Sequence, residues 1–332
     1  DYSLKSIDLK SVYAFKPIPE GLNAVESKHI LGSECNMWTE HAPQELVDSK
    51  LFPRILAMSE VLWTPSSQQH FEDFHQRLQK QYPRLDRMGV KYGYESLPVS
   101  FDIQYKHEEK GFEVKMKPGQ QSLKIQYTLD GNNPDKQSPA FEKPIIIRNS
   151  GEIKARVFNS SDQEPEVFKR KLILHEGVGK SLILKHAPSQ FYAANGANSL
   201  CDGQKASSDF HDGLWLGFQE HDLDVVIDLG EQKNIHEIAA NFIRSMPSWI
   251  LFPESVEYLV SDNGKDFQSV SLLKNTESQK EEDMKEQLFK QEFKALKARY
   301  IKVIGKKVDV CPEWHEAAGS KAWLFVDEII IK

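Results

Sequence analysis

Apolar positions along the chain follow two periods, and the switch between them divides the sequence. In residues 44–63, Leu51, Phe52, Ile55, Leu56 and Leu62 recur at helical spacing, which predicts one helix with those side chains as its buried stripe. A second helix is predicted over residues 68–81, with Phe71, Phe74 and Leu78 on one face and Pro83 as its stop. Ahead of both, Lys28-His29-Ile30-Leu31-Gly32 reads as a short strand entering a glycine. A strand followed by amphipathic helices suits an α/β layer, such as the last unit of a barrel. One such unit cannot bury both faces of its strand, so the start of that domain is expected to lie outside this sequence.

After Pro98 the helical period stops and period two takes over. Leu123, Ile125, Tyr127 and Leu129 alternate with Lys124, Gln126 and Thr128, a strand with one wet face. Asp130-Gly131-Asn132-Asn133-Pro134 follows as a turn. Ile153, Ala155 and Val157 alternate with Lys154 and Arg156 in another such strand, so a small β-sandwich is expected. Further on, Val225, Ile227 and Leu229 alternate inward, with Gly230 as the end of that strand. Residues 256–260 form a strand before a tight turn at Ser261-Asp262-Asn263-Gly264, and residues 299–303 and 325–331 are late strands. This longer pattern predicts a second β-sandwich or jelly roll. The expected division is 1–97, 98–176 and 177–332.

A chain of 332 residues has room for two or three domains. Its net charge of −7 and lack of a basic stripe exclude nucleic acid as the expected partner. The charge-dense residues 274–299 mix signs and read as a solvated loop and strand edge. Cys35, Cys201 and Cys311 are too scattered for a disulfide framework or a zinc pattern. No apolar run is long enough to span a bilayer. Asp1-Tyr2-Ser3-Leu4 is not a signal peptide, so any export signal is expected upstream. Gly179-Lys180-Ser181 lacks the glycine five positions earlier that a phosphate loop needs, since Leu174 stands there. His70 and His75 would not share a helical face as a zinc pair. Cys311 and His315 read as a buried cysteine and a surface histidine, and Asn159-Ser160-Ser161 as a chance match to a glycosylation site.

Trp38 and Glu40 are the pair that carries chemistry. An indole face can stack on the CH face of a pyranose, and a carboxylate two residues on can accept hydrogen bonds from sugar hydroxyls. In extended backbone both side chains would point the same way. The competing reading is a core tryptophan and a glutamate that favours a helix N-terminus.

Four ordered blocks then resemble a known family. They are Val12-Tyr13-Ala14-Phe15-Lys16-Pro17-Ile18-Pro19-Glu20-Gly21-Leu22, Ile30-Leu31-Gly32, Asn36-Met37-Trp38-Thr39-Glu40, and Phe52-Pro53-Arg54-Ile55-Leu56-Ala57-Met58-Ser59-Glu60-Val61-Leu62-Trp63. They look like the final part of the catalytic barrel of glycoside hydrolase family 20, the β-N-acetylhexosaminidases. Phe74, Arg77-Leu78, Arg84-Leu85 and Gly89-Val90 continue the likeness. The resemblance implies the C-terminal remnant of a TIM (β/α)8 barrel, with Trp38 as a wall of the terminal-sugar pocket and Glu40 on the outer hydroxyls of that sugar. Arg54 and Glu60 match the helix after the last strand and face apart, each with a partner elsewhere. In the family an adjacent Asp-Glu pair on an earlier strand does the chemistry. The glutamate is the general acid, and the aspartate orients the substrate's own acetamido group for attack, an exception to the two-carboxylate scheme. No catalytic residue is expected in this chain and no cofactor is implied for catalysis. Asp8, Glu20, Glu26, Glu34 and Glu45 read as surface carboxylates.

The run Ile125-Gln126-Tyr127-Thr128-Leu129-Asp130-Gly131-Asn132-Asn133-Pro134, with Ser138, Pro144-Ile145 and Ile153-Lys154-Ala155, resembles the small fibronectin-like domain found after such barrels, which implies a spacer. The last segment resembles discoidin-type, or coagulation-factor C-type, modules of galactose-binding-like jelly-roll fold. The likeness rests on Leu200-Cys201-Asp202-Gly203, Trp215-Leu216-Gly217-Phe218 and stretches 225–230, 253–264, 298–303 and 325–330. Such modules are often carbohydrate-binding, and many hold one structural calcium ion through an early Asp-Gly and a late Glu. Asp202 and Glu328 are the residues that match, and hard oxygen ligands suit calcium. Gln204 and Ser207 stand where an Asn or Asp and a Thr are usual, which leaves the metal open. Trp249 and Trp314, in loop-like stretches, are candidate glycan-binding aromatics, with plugging of the sandwich ends as the other reading. The expectation is the C-terminal portion of an exported bacterial exo-β-N-acetylhexosaminidase, periplasmic or extracellular and inactive alone. Its partners would be glycans ending in N-acetylglucosamine or N-acetylgalactosamine. The alternative is a non-catalytic glycan-binding or adhesion protein that kept a barrel remnant.

Overall fold

The computed structural model describes residue 4 and residues 7–38, 42–120, 123–158 and 166–332. Its N-terminal segment is helical, and no strand occurs among the described residues before Val99. Asp8 caps α1 (Leu9–Tyr13) by accepting from Ser11 N at 2.7 Å. The strand predicted at 28–32 is absent. Residues 28 and 29 finish a 3-10 turn, Glu26–His29, and residues 30–38 run without regular structure. A strand needs a neighbour to pair its N–H and C=O groups, and none of the described residues supplies one here.

The helix predicted over 44–63 is broken into α2 (Val47–Leu51) and α3 (Arg54–Trp63). Pro53 disfavours helical backbone at the residue before it, and Phe52 is extended, with φ −88° and ψ 141°. The buried stripe also differs from the predicted one. Arg54, Ala57 and Val61 face inward, Phe52 and Leu56 pack on the core's edge, and Leu62 is exposed. The break re-phases the helix, so the inward row is counted from Arg54. Next, α4 (Phe71–Gln79) buries Phe74 and Leu78 as predicted. Pro83 sits in the first turn of α5 (Tyr82–Arg87), where its missing N–H has no helical partner to lose, so it opens a helix rather than merely stopping one. Leu9, Tyr13, Ala57, Val61, Phe74 and Leu78 form the core, with the Tyr13 and Phe74 rings stacked at 4.8 Å. The buried Glu95 carboxylate ties the following chain to these helices. It is bonded to His75 Nε2 at 2.7 Å and accepts from Gln79 Nε2 at 2.9 Å and Tyr82 Oη at 2.7 Å.

The middle module has β1 (Val99–Lys106), β2 (Gly111–Pro118), β3 (Ile125–Thr128), β4 (Ile145–Ile147), β5 (Gly151–Val157) and β6 (Phe168–Leu172). They form two sheets, β1-β2-β4 and β3-β5-β6, around Phe112, Val114, Ile153, Ala155 and Leu172. The alternation predicted over 123–129 holds for Ile125 as a core residue, whereas Leu129 is exposed in the turn.

The last module has β7 (Ser181–Leu184), β8 (Gln204–Lys205), β9 (Leu216–Phe218), β10 (Leu223–Arg244), β11 (Ser255–Ser261), β12 (Gln268–Lys274), β13 (Lys285–Lys306) and β14 (Leu324–Ile331). Strand order is β12-β11-β13-β10-β14-β9, with β7 also on β10. β10 and β13 are each 22 residues long and pair antiparallel, with register shifts between Asp228 and Lys233 and between Ile235 and Glu237. Gly230, at φ +86°, lies in the first irregularity, so it bends β10 instead of ending it. The bends let one long ribbon serve both layers of the sandwich. Residues 300–306 lie between β10 and β11, whereas residues 285–298 pair with β10 alone and alternate with exposed positions, which agrees with the strand edge predicted within 274–299. β8 leaves the last module to pair with β6, through Lys171 with Lys205 and Leu172 with Gln204. The middle module's second sheet is thus completed by a strand of the last. Among the described residues no helix is long and apolar enough to cross a membrane.

Candidate functional site

Trp38, in the irregular stretch after Ile30, is 69% exposed. Glu40 lies outside the described residues, as does the Asn159 glycosylation sequence. Just before Trp38, Cys35, Asn36 and Met37 border a small cavity of about 190 Å³ against Leu51, Arg54 and Met58. A larger cleft of about 470 Å³ opens between Phe15, Ile18, Leu31 and Leu62. Arg54 and Glu60 have separate partners, as expected. Arg54 donates to the Ile7 carbonyl at 2.9 Å and to the Lys50 carbonyl. Glu60 accepts from Tyr13 Oη at 2.9 Å and from Arg77 at 2.6 and 2.8 Å. Burial, with the Glu60 bond second, pushes the Tyr13 phenol up to about 12. The chain's one Asp-Glu dipeptide, Asp327-Glu328, is fully buried in β14 and serves packing, not acid catalysis on a sugar.

At one end of the last sandwich the structure assembles an aromatic surface. β10 ends at Arg244, a 3-10 turn spans Met246–Ser248, and Trp249 follows in left-handed backbone at φ +63°. Trp249 N donates to the Met246 carbonyl at 2.9 Å, and the Trp249 carbonyl accepts from Trp323 N at 2.8 Å. His315, predicted on the surface, is buried. Its Nδ1 accepts from Ala317 N at 3.0 Å, which leaves the proton on Nε2 to donate to the Met246 carbonyl at 2.9 Å. That bond pins the loop carrying Trp314 beside the loop carrying Trp249. Both indoles are about two-fifths exposed, Trp249 at 38% and Trp314 at 40%. A third loop joins them. Arg244, wholly buried, donates to the Ser278 carbonyl, to Glu281 at 3.1 Å, and to the Asp283 carbonyl and carboxylate at 3.0 and 2.9 Å. Lys280 from that loop lies 5.6 Å from the Trp314 ring centre. The sequence marks the two tryptophans, places His315 on the surface and does not single out Arg244, yet His315 and Arg244 are the residues that position their loops. The only trace of Arg244 in the sequence is a charge closing an apolar run.

Asp202 and Glu328 lie where the last module meets the middle one. Gly203, at φ +77°, lets the chain pass so close to Phe112 that a Cβ there would stand 2.6 Å from the ring. Glu328 is fully buried, and its oxygens meet N–H donors, His175 Nε2 at 2.8 Å and Gly203 N at 3.2 Å. Asp202 accepts from Gln204 N at 2.8 Å and Gln204 Nε2 at 3.1 Å. Burial pushes the Asp202 carboxyl up to about 7 and the Asp327 carboxyl likewise to about 7. Burial first, then the neighbouring Asp202 and Asp327 charges, raises Glu328 as well. Desolvation lowers His175 to about 3, so its imidazole is neutral. Calcium requires six to eight oxygen ligands. Both matching carboxylates face nitrogen donors instead, and among the described residues no three His, Cys, Asp or Glu side chains are arranged so that they could hold a metal ion. The residues do not fit the ion. Beside them a cleft of about 570 Å³ runs between β1 and the 179–204 segment, lined by Gln104, Tyr105, Lys180, Asn195, Asn198 and Gln204. Lys180 and Ser181 lead into a strand, not a helix, which removes the phosphate-loop possibility.

Three stretches match family models in order. Residues 2–66 match the glycosyl hydrolase family 20 catalytic domain, residues 108–169 the chitobiase/beta-hexosaminidase C-terminal domain, and residues 186–327 the F5/8 type C domain. A beta-hexosaminidase of Porphyromonas gingivalis (strain ATCC BAA-308 / W83) is 32% identical over 152 residues, which is 45% of this chain and 19% of that protein. A beta-N-acetylhexosaminidase of Cellulomonas fimi is 33% identical over 91 residues, 26% of this chain and 17% of that protein. The chain thus spans less than a fifth of the length of these curated relatives. Among solved structures, a chitosan-binding module of a chitosanase/glucanase from Paenibacillus sp. IK-5 overlays with a TM-score of 0.32 at 12% identity, covering 48% of this chain and 98% of that one. A Streptococcus pneumoniae fucose binding module overlays with a TM-score of 0.32 at 14% identity, covering 52% and 97%.

Proposed function

We propose that this chain, in which a family 20 catalytic-domain segment precedes a hexosaminidase C-terminal domain and an F5/8 type C domain, is the C-terminal portion of an exo-β-N-acetylhexosaminidase. The observation that carries the reading is the ordered run of those three segments. Its substrates are glycans ending in N-acetylglucosamine or N-acetylgalactosamine, hydrolysed with retention by the substrate's own acetamido group. In this reading Trp38 stacks on the terminal sugar and Glu40 holds its outer hydroxyls. The acid and the orienting aspartate are supplied from elsewhere in the whole protein. Support comes from the apolar surface of the helical segment, where Leu31 and Trp63 are 96% and 89% exposed, as befits a face that further catalytic-domain structure covers. The protein acts in the periplasm or outside the cell, which fractionation of the source organism checks.

The test is hydrolysis of p-nitrophenyl N-acetyl-β-glucosaminide and -galactosaminide by the full-length protein. Turnover is expected, with Trp38→Ala lowering kcat/KM by about 100-fold, the size of a lost sugar-stacking and orienting contact. The 332-residue chain alone is expected to show none. A full-length protein that binds glycans without cleaving them sinks the enzyme reading and favours a glycan-binding protein, for which the Trp249 and Trp314 surface is the supporting feature. An indole face presents the apolar stacking surface that sugars use. Replacing both tryptophans by alanine should abolish glycan-array binding by the chain.

A further inference from the structure

Three carboxyl groups, those of Asp202, Asp327 and Glu328, are gathered in and beside β14. Burying such a group without a counter-charge or full hydrogen bonding is strongly unfavourable. A cation is one remedy, and the donor set here rules against it. The remedy the structure shows comes from the connecting segment between the two sandwiches. His175 inserts there with its side chain wholly out of solvent. Its Nδ1 accepts from Gly177 N at 3.1 Å and from Ile331 N at 3.4 Å, which fixes the proton on Nε2, and Nε2–H donates to Glu328. Gly177 makes room for the ring, since a Cβ there would lie 3.1 Å from Nδ1. Backbone bonds hold the segment on both sides of the histidine. Ile173 N donates to the Gly203 carbonyl, Glu176 N to Ile331 and Gly179 N to Cys201, at 2.8 to 2.9 Å. None of the unpartnered buried side-chain atoms found among the described residues belongs to this cluster.

We propose that His175 takes the place of a structural cation at this junction, satisfying Glu328 and locking the connecting segment onto β14 and the Gly203 turn, so that the last module folds without calcium. His175 is a positioning residue. Its side chain ties the segment arriving from the middle module to the C-terminal strand, and the Glu328 carboxylate it bonds reaches on to the Asp202-Gly203 turn through Gly203 N. A divalent ion at Glu328 would have to share its oxygens with two nitrogen donors.

The experiment uses the 332-residue chain, or the full-length protein where that is in hand. Calorimetric titration with calcium chloride is expected to give no saturable heat. Melting in EDTA and in millimolar calcium is expected to give Tm values within about one degree, whereas a resident ion far above its Kd shifts Tm by several degrees. Amide hydrogen exchange then tests the lock. His175→Ala should lose protection at Gly177, Gly203 and Ile331 together, while His175→Gln, which keeps a donor toward Glu328, should retain part of it. Should the alanine variant fail to fold, the glutamine variant and the calcium titration still decide. Saturable calcium binding with a matching rise in Tm overturns the proposal. So does unchanged protection at the three amides in a folded His175→Ala protein.

Discussion

At the scale of single residues, the junctions depend on groups whose chemistry leaves little latitude. Gly203 combines left-handed backbone with a close approach of one sandwich to Phe112 of the other. Gly203→Ala adds backbone strain to overpacking against Phe112, together at least about 2 kcal/mol, and should lower Tm measurably in a thermal melt. On the surface, Arg299 grips Asp228 through two parallel bonds of 2.8 and 2.9 Å. The Arg299 bonds hold the Asp228 carboxyl down at about 2, below the ordinary 3.8. A depressed acid contributes stability that is complete above pH about 4 and is lost as pH falls through about 2. Asp228→Asn should therefore cost up to about 1 kcal/mol near neutrality, as for a part-exposed pair. It should also flatten the acid limb of a urea-denaturation series between those two pH values.

At the scale of elements, the loops that carry Trp249 and Trp314 are fixed by a buried guanidinium and a buried imidazole. Arg244→Leu keeps the bulk and removes the donors, so residues 276–284 should become a site of rapid cleavage in limited proteolysis while the core strands stay resistant. Unchanged cleavage there would mean the loop holds itself. Strands were the most legible part of the sequence, because Val225-Ile227-Leu229 and Ile153-Ala155-Val157 carry their period openly. Lengths were not legible. Gly230 reads as a stop in one dimension and is a bend in three, since the continuing ladder with β13 is a tertiary fact. β14 conceals its function differently. All eight of its residues are buried, charged ones included, so no alternation marks which face Glu328 serves. The Trp38 region shows a third failure. The strand predicted at 28–32 requires a pairing partner, and its local sequence contains no record of one. His175 could not be found from sequence, because its distant partners, Glu328 and Ile331, lie 153 and 156 residues away in β14.

At the scale of the whole molecule, the two sandwiches share a sheet. β8 completes the β3-β5-β6 sheet, and the His175 segment crosses the same boundary. Modules coupled this way should unfold together. Calorimetry on residues 98–332 is expected to show one transition with agreeing calorimetric and van't Hoff enthalpies. Two resolved peaks would show that the shared strand does not couple them. The helical segment differs, with its own core and large apolar side chains facing outward. Its exposure has a spectroscopic consequence. Of the six tryptophans, Trp38 and Trp63 stand far out in solvent while Trp215 is sealed in the last sandwich. Water-facing indoles emit at longer wavelength than sealed ones and are open to collisional quenching by iodide. The red, quenchable fraction of the emission is therefore an optical gauge of whether anything has docked on the helical segment. Docking moves it to the blue, and a sugar settling on Trp249 and Trp314 leaves those two indoles as they were.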